Sequence, residues 1–121
     1  MAVSIIIPAH NESAVIARCL QTMLQDARED ELEIIVVANG CSDDTAAKAR
    51  AVSPAVRVID TATPGKSNAI NVGDEAATGF PRFYVDADVQ LPIHSIRRVS
   101  QISAQSRTMT PPRHHAQSST R

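Results

Sequence analysis

Short aliphatic runs recur between helix-patterned stretches, and that alternation constrains the fold more than any other feature of the chain. Val3 to Ile7 is an almost unbroken apolar, β-branched run, as expected of a strand covered on both faces. Val15, Ile16, Cys19, Leu20, Met23 and Leu24 then repeat at three and four residues, which draws one apolar helix face. The acidic Asp26 to Glu33 stretch connects to a second run, Ile34 to Val37. Asn11 is positioned to cap the first helix, and Ser42 the second, with Asp43 and Asp44 in its first turn and Pro54 closing it. Val56, Val58 and Ile59 form a shorter third strand. A small-residue helix follows over roughly Ser67 to Thr78, stopped by Gly79 and Pro81. Phe83 to Val85 is the fourth strand, and a last helix after Pro92 turns Ile96, Val99 and Ile102 inward. Strands alternating with helices predict βαβ units and a parallel sheet, hence a Rossmann-like three-layer α/β/α fold.

Composition narrows the functions such a fold can serve. Hydrophobic residues are 43% and charged residues 21%, which supports a packed core in a single domain of 121 residues. Aromatic residues are only 2%, too few for stacking along a nucleic-acid strand, and a net charge of −1 removes the electrostatic case for nucleic acid. Two cysteines without C-x-x-C spacing make neither a disulfide framework nor a zinc site. No apolar run reaches the length of a membrane span. A cytoplasmic location, at most peripheral to the inner face of the membrane, is the expectation.

Charge is unevenly placed. All 13 acidic residues precede position 104, while Arg107, Arg113 and Arg121 follow it with no acid among them. The segment from Ala104 has one large apolar residue, Met109, and reads as a disordered basic tail. A chain that stops, or is read in a shifted frame, partway through a larger domain is the expectation from that change.

In doubly wound sheets a ligand sits beyond the carboxyl ends of the strands, where the strand order reverses. Three polar segments follow the first, second and fourth strands: Pro8-Ala9-His10-Asn11-Glu12, Asn39 to Asp44, and Asp86-Ala87-Asp88. They are expected to share one crevice. Two carboxylates spaced as Asp86 and Asp88 are hard-oxygen ligands for a divalent cation, or else a solvated loop. Lys66, beside a helix start, is either a phosphate contact or an exposed lysine. Gly65-Lys66-Ser67 is not a Walker loop, because Asp60 stands where that pattern needs glycine, and no G-x-G-x-x-G occurs. Cys19 belongs to the apolar helix face, Cys41 is a small loop residue, and His94 lies at the surface.

Four blocks, in order and in register over about residues 3 to 90, resemble family 2 glycosyltransferases of the GT-A fold. They are Val3 to Glu12, Glu33 to Thr45, Gly65 to Asn71 and Asp86-Ala87-Asp88. The resemblance implies a partial nucleotide-sugar-binding domain over residues 1–103. It implies a nucleoside diphosphate sugar donor, UDP- or GDP-type, held with Mg²⁺ or Mn²⁺. By position, Pro8, His10 and Glu12 would line the base and ribose site, and Asn39 matches an aspartate that contacts the base in the family. Asp86 would lie near the ribose, Asp88 would ligate the metal with Asp86 beside it, and Lys66 would lie near the phosphates. A ring at His10 can stack on a base, and an amide at position 39 both donates and accepts where a carboxylate only accepts. The family's general base comes later in the chain, and the tail here has no acidic side chain, so donor binding without turnover is expected. A non-catalytic nucleotide-binding module or an inactive truncated remnant are the alternatives.

Overall fold

A computed structural model describes residues 2–109 of the chain, with side-chain surroundings described to residue 101. Eight elements alternate along it: β1 (Val3–Ala9), α1 (Ile16–Leu24), β2 (Leu32–Asn39), α2 (Thr45–Val52), β3 (Val56–Thr61), α3 (Lys66–Ala76), β4 (Arg82–Tyr84) and α4 (Ile93–Met109). The four strands make one parallel sheet in the order β3-β2-β1-β4. The chain therefore steps outward from β1 to β3, then crosses back to lay β4 on the other side of β1. Parallel crossovers are right-handed, so reversing direction moves the connecting helix to the opposite face. The packing follows that rule. Ile5, Ile7, Ile34 and Val36 meet α1, Ala49 of α2, and Ile93 and Ile96 of α4 on one face. Ile6, Ile35 and Val37 meet Ala69 and Ala77, at and just beyond α3, on the other.

The continuous apolar runs are explained by this double cover: Ile5, Ile6, Ile7, Ile34, Ile35, Val36 and Val37 are all buried. The expected face of α1 is likewise the buried one, with Ile16, Cys19, Leu20 and Met23 inside. Small residues on α3 matter because the helix lies hard against β1. A Cβ added at Gly73 would come within 2.5 Å of Ile6 Cγ2.

Pro8 fixes where the sheet opens. Alternate residues of β1 bond to β4: the Ser4 N–H donates to Pro81 O at 3.2 Å, and Ile6 O accepts from the Val85 N–H at 3.0 Å. The next donor in that register is residue 8, and proline has no N–H. Pairing with β4 therefore stops at Ile6 and Tyr84, while β1 runs on beside β2 to Ala9 and Ala38. The ends of β1 and β4 are left unjoined at the point where the strand order reverses.

Several expectations need correction. Asn11 does not cap α1. It takes a left-handed backbone (φ 52°), and its Oδ1 accepts from the backbone N–H groups of Ser42 at 2.8 Å and Asp43 at 3.3 Å. Ser42 does not cap α2 either, which starts at Thr45, and it is the Asp43 carboxylate that accepts the Thr45 N–H and hydroxyl. Val99 is 48% exposed rather than inward, whereas Ile96 is buried as expected. α4 spans Ile93–Met109. The burial expected of Ile102 and the rest of the expected tail, residues 110–121, lie outside what the structure describes.

Candidate functional site

At the strand-order reversal lies a cleft of about 410 Å³. Pro8, His10 and Glu12 line it from the segment at the end of β1, Asn39 from the end of β2, Pro64, Gly65 and Lys66 from the start of α3, and Asp86, Ala87 and Asp88 from beyond β4. All seven residues singled out in the sequence (Pro8, His10, Glu12, Asn39, Lys66, Asp86 and Asp88) thus border one space. Sequence reasoning passed over Pro64 and Ala87, which carry no polar group to draw attention.

Each segment is held by a local device. Past β4 the chain enters a turn at Ala87 and Asp88; Val85 and Ala87 are buried while Asp86 and Asp88 are exposed. Both acidic residues border the same cleft. The Val89 N–H closes a turn onto Asp86 O at 3.0 Å. After β2, Gly40 takes a left-handed φ of 62°, and a Cβ there would sit 3.0 Å from Pro64. Glycine thus lets the β2 loop pass beside the residues leading into α3.

The β1 and β2 loops are stapled to each other. Besides the Asn11 bonds, the Glu12 N–H donates to Thr45 Oγ1 at 2.9 Å and the Ser13 N–H to Asp43 Oδ2 at 3.3 Å. Cys41 Sγ receives the Asn11 N–H at 3.3 Å and lies 3.4 Å from Ala9 O, so the thiol sits in this staple as a small loop residue. The Thr45 hydroxyl and the Ser13 N–H, donating to the Asp43 carboxylate, hold its pKa down at about 2. His10 Nδ1 lies 2.7 Å from the carbonyl oxygen of Asn39. A carbonyl only accepts, so Nδ1 carries the hydrogen, and the exposed ring is held over residue 39.

Two polar features face the cleft. Asn39 is 3% exposed, and its Oδ1 has no hydrogen-bond partner among the described residues. A buried amide oxygen without a partner is uncommon, and this one belongs to a residue that lines the cleft. Lys66 Nζ donates to Asp86 Oδ1 at 2.6 Å, with both side chains more than half exposed. Lys66 is the first residue of α3, and among the described residues no side chain caps that helix start. Its first N–H groups are free for an anion.

For a divalent cation the donor set is small. Among the described residues no three His, Cys, Asp or Glu side chains group as a metal cage. Asp86 and Asp88 offer two carboxylates with hard oxygens, and the Lys66 ammonium already marks a cation position on one of them. Mg²⁺ characteristically takes one or two carboxylates and completes its shell with water and substrate phosphate, so the residues present fit that mode and not an all-protein cage.

The profile of glycosyl transferase family 2 matches residues 4–111. The chain belongs to glycosyl transferase family 2. Its parallel sheet with helices on both faces is the GT-A arrangement. Among curated relatives, the undecaprenyl-phosphate 4-deoxy-4-formamido-L-arabinose transferase of Sodalis glossinidius is 32% identical over 110 residues, covering 85% of this chain and 34% of that protein. The probable glycosyltransferase YdaM of Bacillus subtilis is 37% identical over 94 residues, covering 71% and 22% respectively. Among solved structures, glucosyl-3-phosphoglycerate synthase from Mycobacterium tuberculosis, in complex with Mn²⁺, UDP and glucosyl-3-phosphoglycerate, superposes with a TM-score of 0.67 at 25% identity. That match covers 79% of this chain and 37% of the synthase. This family 2 chain thus spans about a third or less of the length of these relatives. Among its described residues, no helix is long and apolar enough to cross a membrane.

Proposed function

We propose that this chain binds the nucleoside diphosphate part of a sugar donor in the cleft between β1 and β4, as the donor half of a glycosyl transfer to an acceptor hydroxyl. One observation carries the reading: seven polar or site-shaping residues from four separate segments converge on one space where the strand order reverses. The base would lie by the His10 ring with its edge against the Asn39 amide, which lacks a partner without it. Pro8 and Glu12 would border base and ribose. The diphosphate would meet the uncapped start of α3 and the Lys66 ammonium.

Asp86 and Asp88 would hold Mg²⁺ or Mn²⁺. Bound there, the cation supplies charge neutralisation for the diphosphate as it leaves. In the transfer, the acceptor oxygen bonds to the anomeric carbon, the bond from that carbon to the phosphate oxygen breaks, and the acceptor proton passes to a base. Glu12, Asp86 and Asp88 are all assigned to the donor, so we assign no base in this cleft and expect binding with little or no turnover. UDP is favoured over GDP because the synthase of similar fold was solved with UDP. Both thiols are free, which suits the reducing cytoplasm as the compartment, with contact to the inner membrane face only peripheral.

Calorimetry with UDP, GDP and their sugars, with and without Mn²⁺, tests the reading. UDP should bind more tightly with Mn²⁺ than without, and Asp88→Ala should remove that difference while leaving the fold intact by circular dichroism. Binding that ignores both Mn²⁺ and Asp88 would identify a metal-independent nucleotide module instead. No binding of either nucleotide refutes the proposal.

A further inference from the structure

Lys66 and Asp86 are 20 positions apart in sequence, yet the start of α3 and the segment beyond β4 bring Nζ and Oδ1 to 2.6 Å. The ammonium thus sits on one of the two carboxylates that the donor-site reading, on which this inference rests, assigns to a divalent cation. A lysine and a dication cannot share that oxygen without like-charge repulsion. Lysine is also a point charge on a long flexible stem, able to change partners without moving the helix that carries it. Its anchor at the first residue of α3 keeps it beside the helix N-terminus, where a diphosphate would offer it a new one.

We propose that Lys66 is an exchangeable counter-cation: it pairs with Asp86 before any ligand binds, yields that oxygen when a divalent cation binds, and moves to the donor diphosphate. Lys66 then opposes the metal when the metal comes alone and favours the nucleotide. Metal and diphosphate assist each other, because each removes a cost that the other meets, and the assistance is reciprocal. Lys66 is here a positioning residue for the ions of the site.

The test is a pair of titrations on the full chain: Mn²⁺ alone, followed by electron paramagnetic resonance of the free ion, and UDP at saturating Mn²⁺, followed by calorimetry. Because the ion pair is exposed, Lys66→Gln should tighten Mn²⁺ alone by a modest factor of about two to five. The same variant should weaken UDP by about tenfold, since a charged contact to phosphate is lost. Lys66→Arg, which keeps the charge, should leave Mn²⁺ binding as weak as in the parent. Opposite-sign shifts are the signature, since a merely structural lysine would weaken both ligands or neither. If Lys66→Gln binds Mn²⁺ no more tightly than the parent while the parent binds UDP with Mn²⁺, the exchange is overturned and the donor site stands. If the parent binds no UDP with Mn²⁺, the donor site falls and the exchange with it.

Discussion

Replacing Asn39 by leucine should stabilise the ligand-free protein and weaken nucleotide binding. Leucine keeps the branched outline of asparagine but carries no polar atom. Residue 39 is 3% exposed at the end of a buried strand, and its Oδ1 is unpaired. An unsatisfied buried acceptor costs about 1–3 kcal/mol, which leucine removes. Two methyl groups are bulkier than an amide, and mild overpacking returns about 1 kcal/mol of that. The net gain is about 1 kcal/mol, or roughly 4 °C in the midpoint of thermal unfolding for a domain of this size. The nucleotide supplies the second reading. At a concentration 100 times its Kd, UDP with Mn²⁺ stabilises the parent by about 2.7 kcal/mol, a rise of roughly 10 °C. Asn39→Leu offers nothing to the base edge, a loss of about 1–3 kcal/mol of binding, so most of that rise should disappear while the diphosphate contacts keep a remainder. Asn39→Asp keeps an acceptor and should still respond, from a lower starting midpoint, because a carboxylate is then buried without a counter-charge. Differential scanning fluorimetry of the three proteins with and without UDP decides it. A leucine variant that melts below the parent, or that UDP stabilises as fully, would refute the view of residue 39 as an acceptor awaiting its ligand.

Gly73→Ala should destabilise the fold by about 1–2 kcal/mol, the overpacking against Ile6 Cγ2 outweighing the better helix propensity of alanine; urea unfolding reads it directly. Acid should weaken the fold through two carboxylates. Glu31 is held down at about 2 by the Arg97 guanidinium, 2.6 Å away, and by the Arg28 N–H, and Asp43 is held at about 2 by Thr45 and Ser13. Both pKa values lie below those of the unfolded chain. Their contribution is therefore complete above about pH 4.5 and lost as pH falls towards 2. Stability measured by urea unfolding between about pH 5 and about pH 2.5 should fall less steeply in Glu31→Gln and Asp43→Asn than in the parent.

The positions of strands and helices were legible because hydrophobic periodicity is written locally along the chain. Ile5 to Ile7 and Ile34 to Val37 announce strands covered twice, and the spacing from Ile16 to Met23 announces a helix with one buried side. The four blocks also carried the membership of the chain in its family and the choice of the seven cleft residues. What the sequence did not carry is which partner each polar group finds. Asn11 has the chemistry of a helix cap, but its acceptor serves the loop 31 and 32 residues away, because β1 and β2 run in register and bring those loops side by side. Val99 fits an inward helical repeat, yet it lies outside, because Ile93, Ile96 and the buried hydroxyl of Ser100 mark the inward face of α4 and position 99 is rotated away from it. The opening of the cleft was decided later still. Pro8 could be read as a strand end, but only the alternation of its bonds towards β4 turns a missing N–H into the parting of two strands. Apolar pattern is a property of neighbours in sequence, and the chain alone determines it. Hydrogen-bond partners and facing charges, such as Lys66 with Asp86, depend on strand order and register, and only the folded sheet sets those.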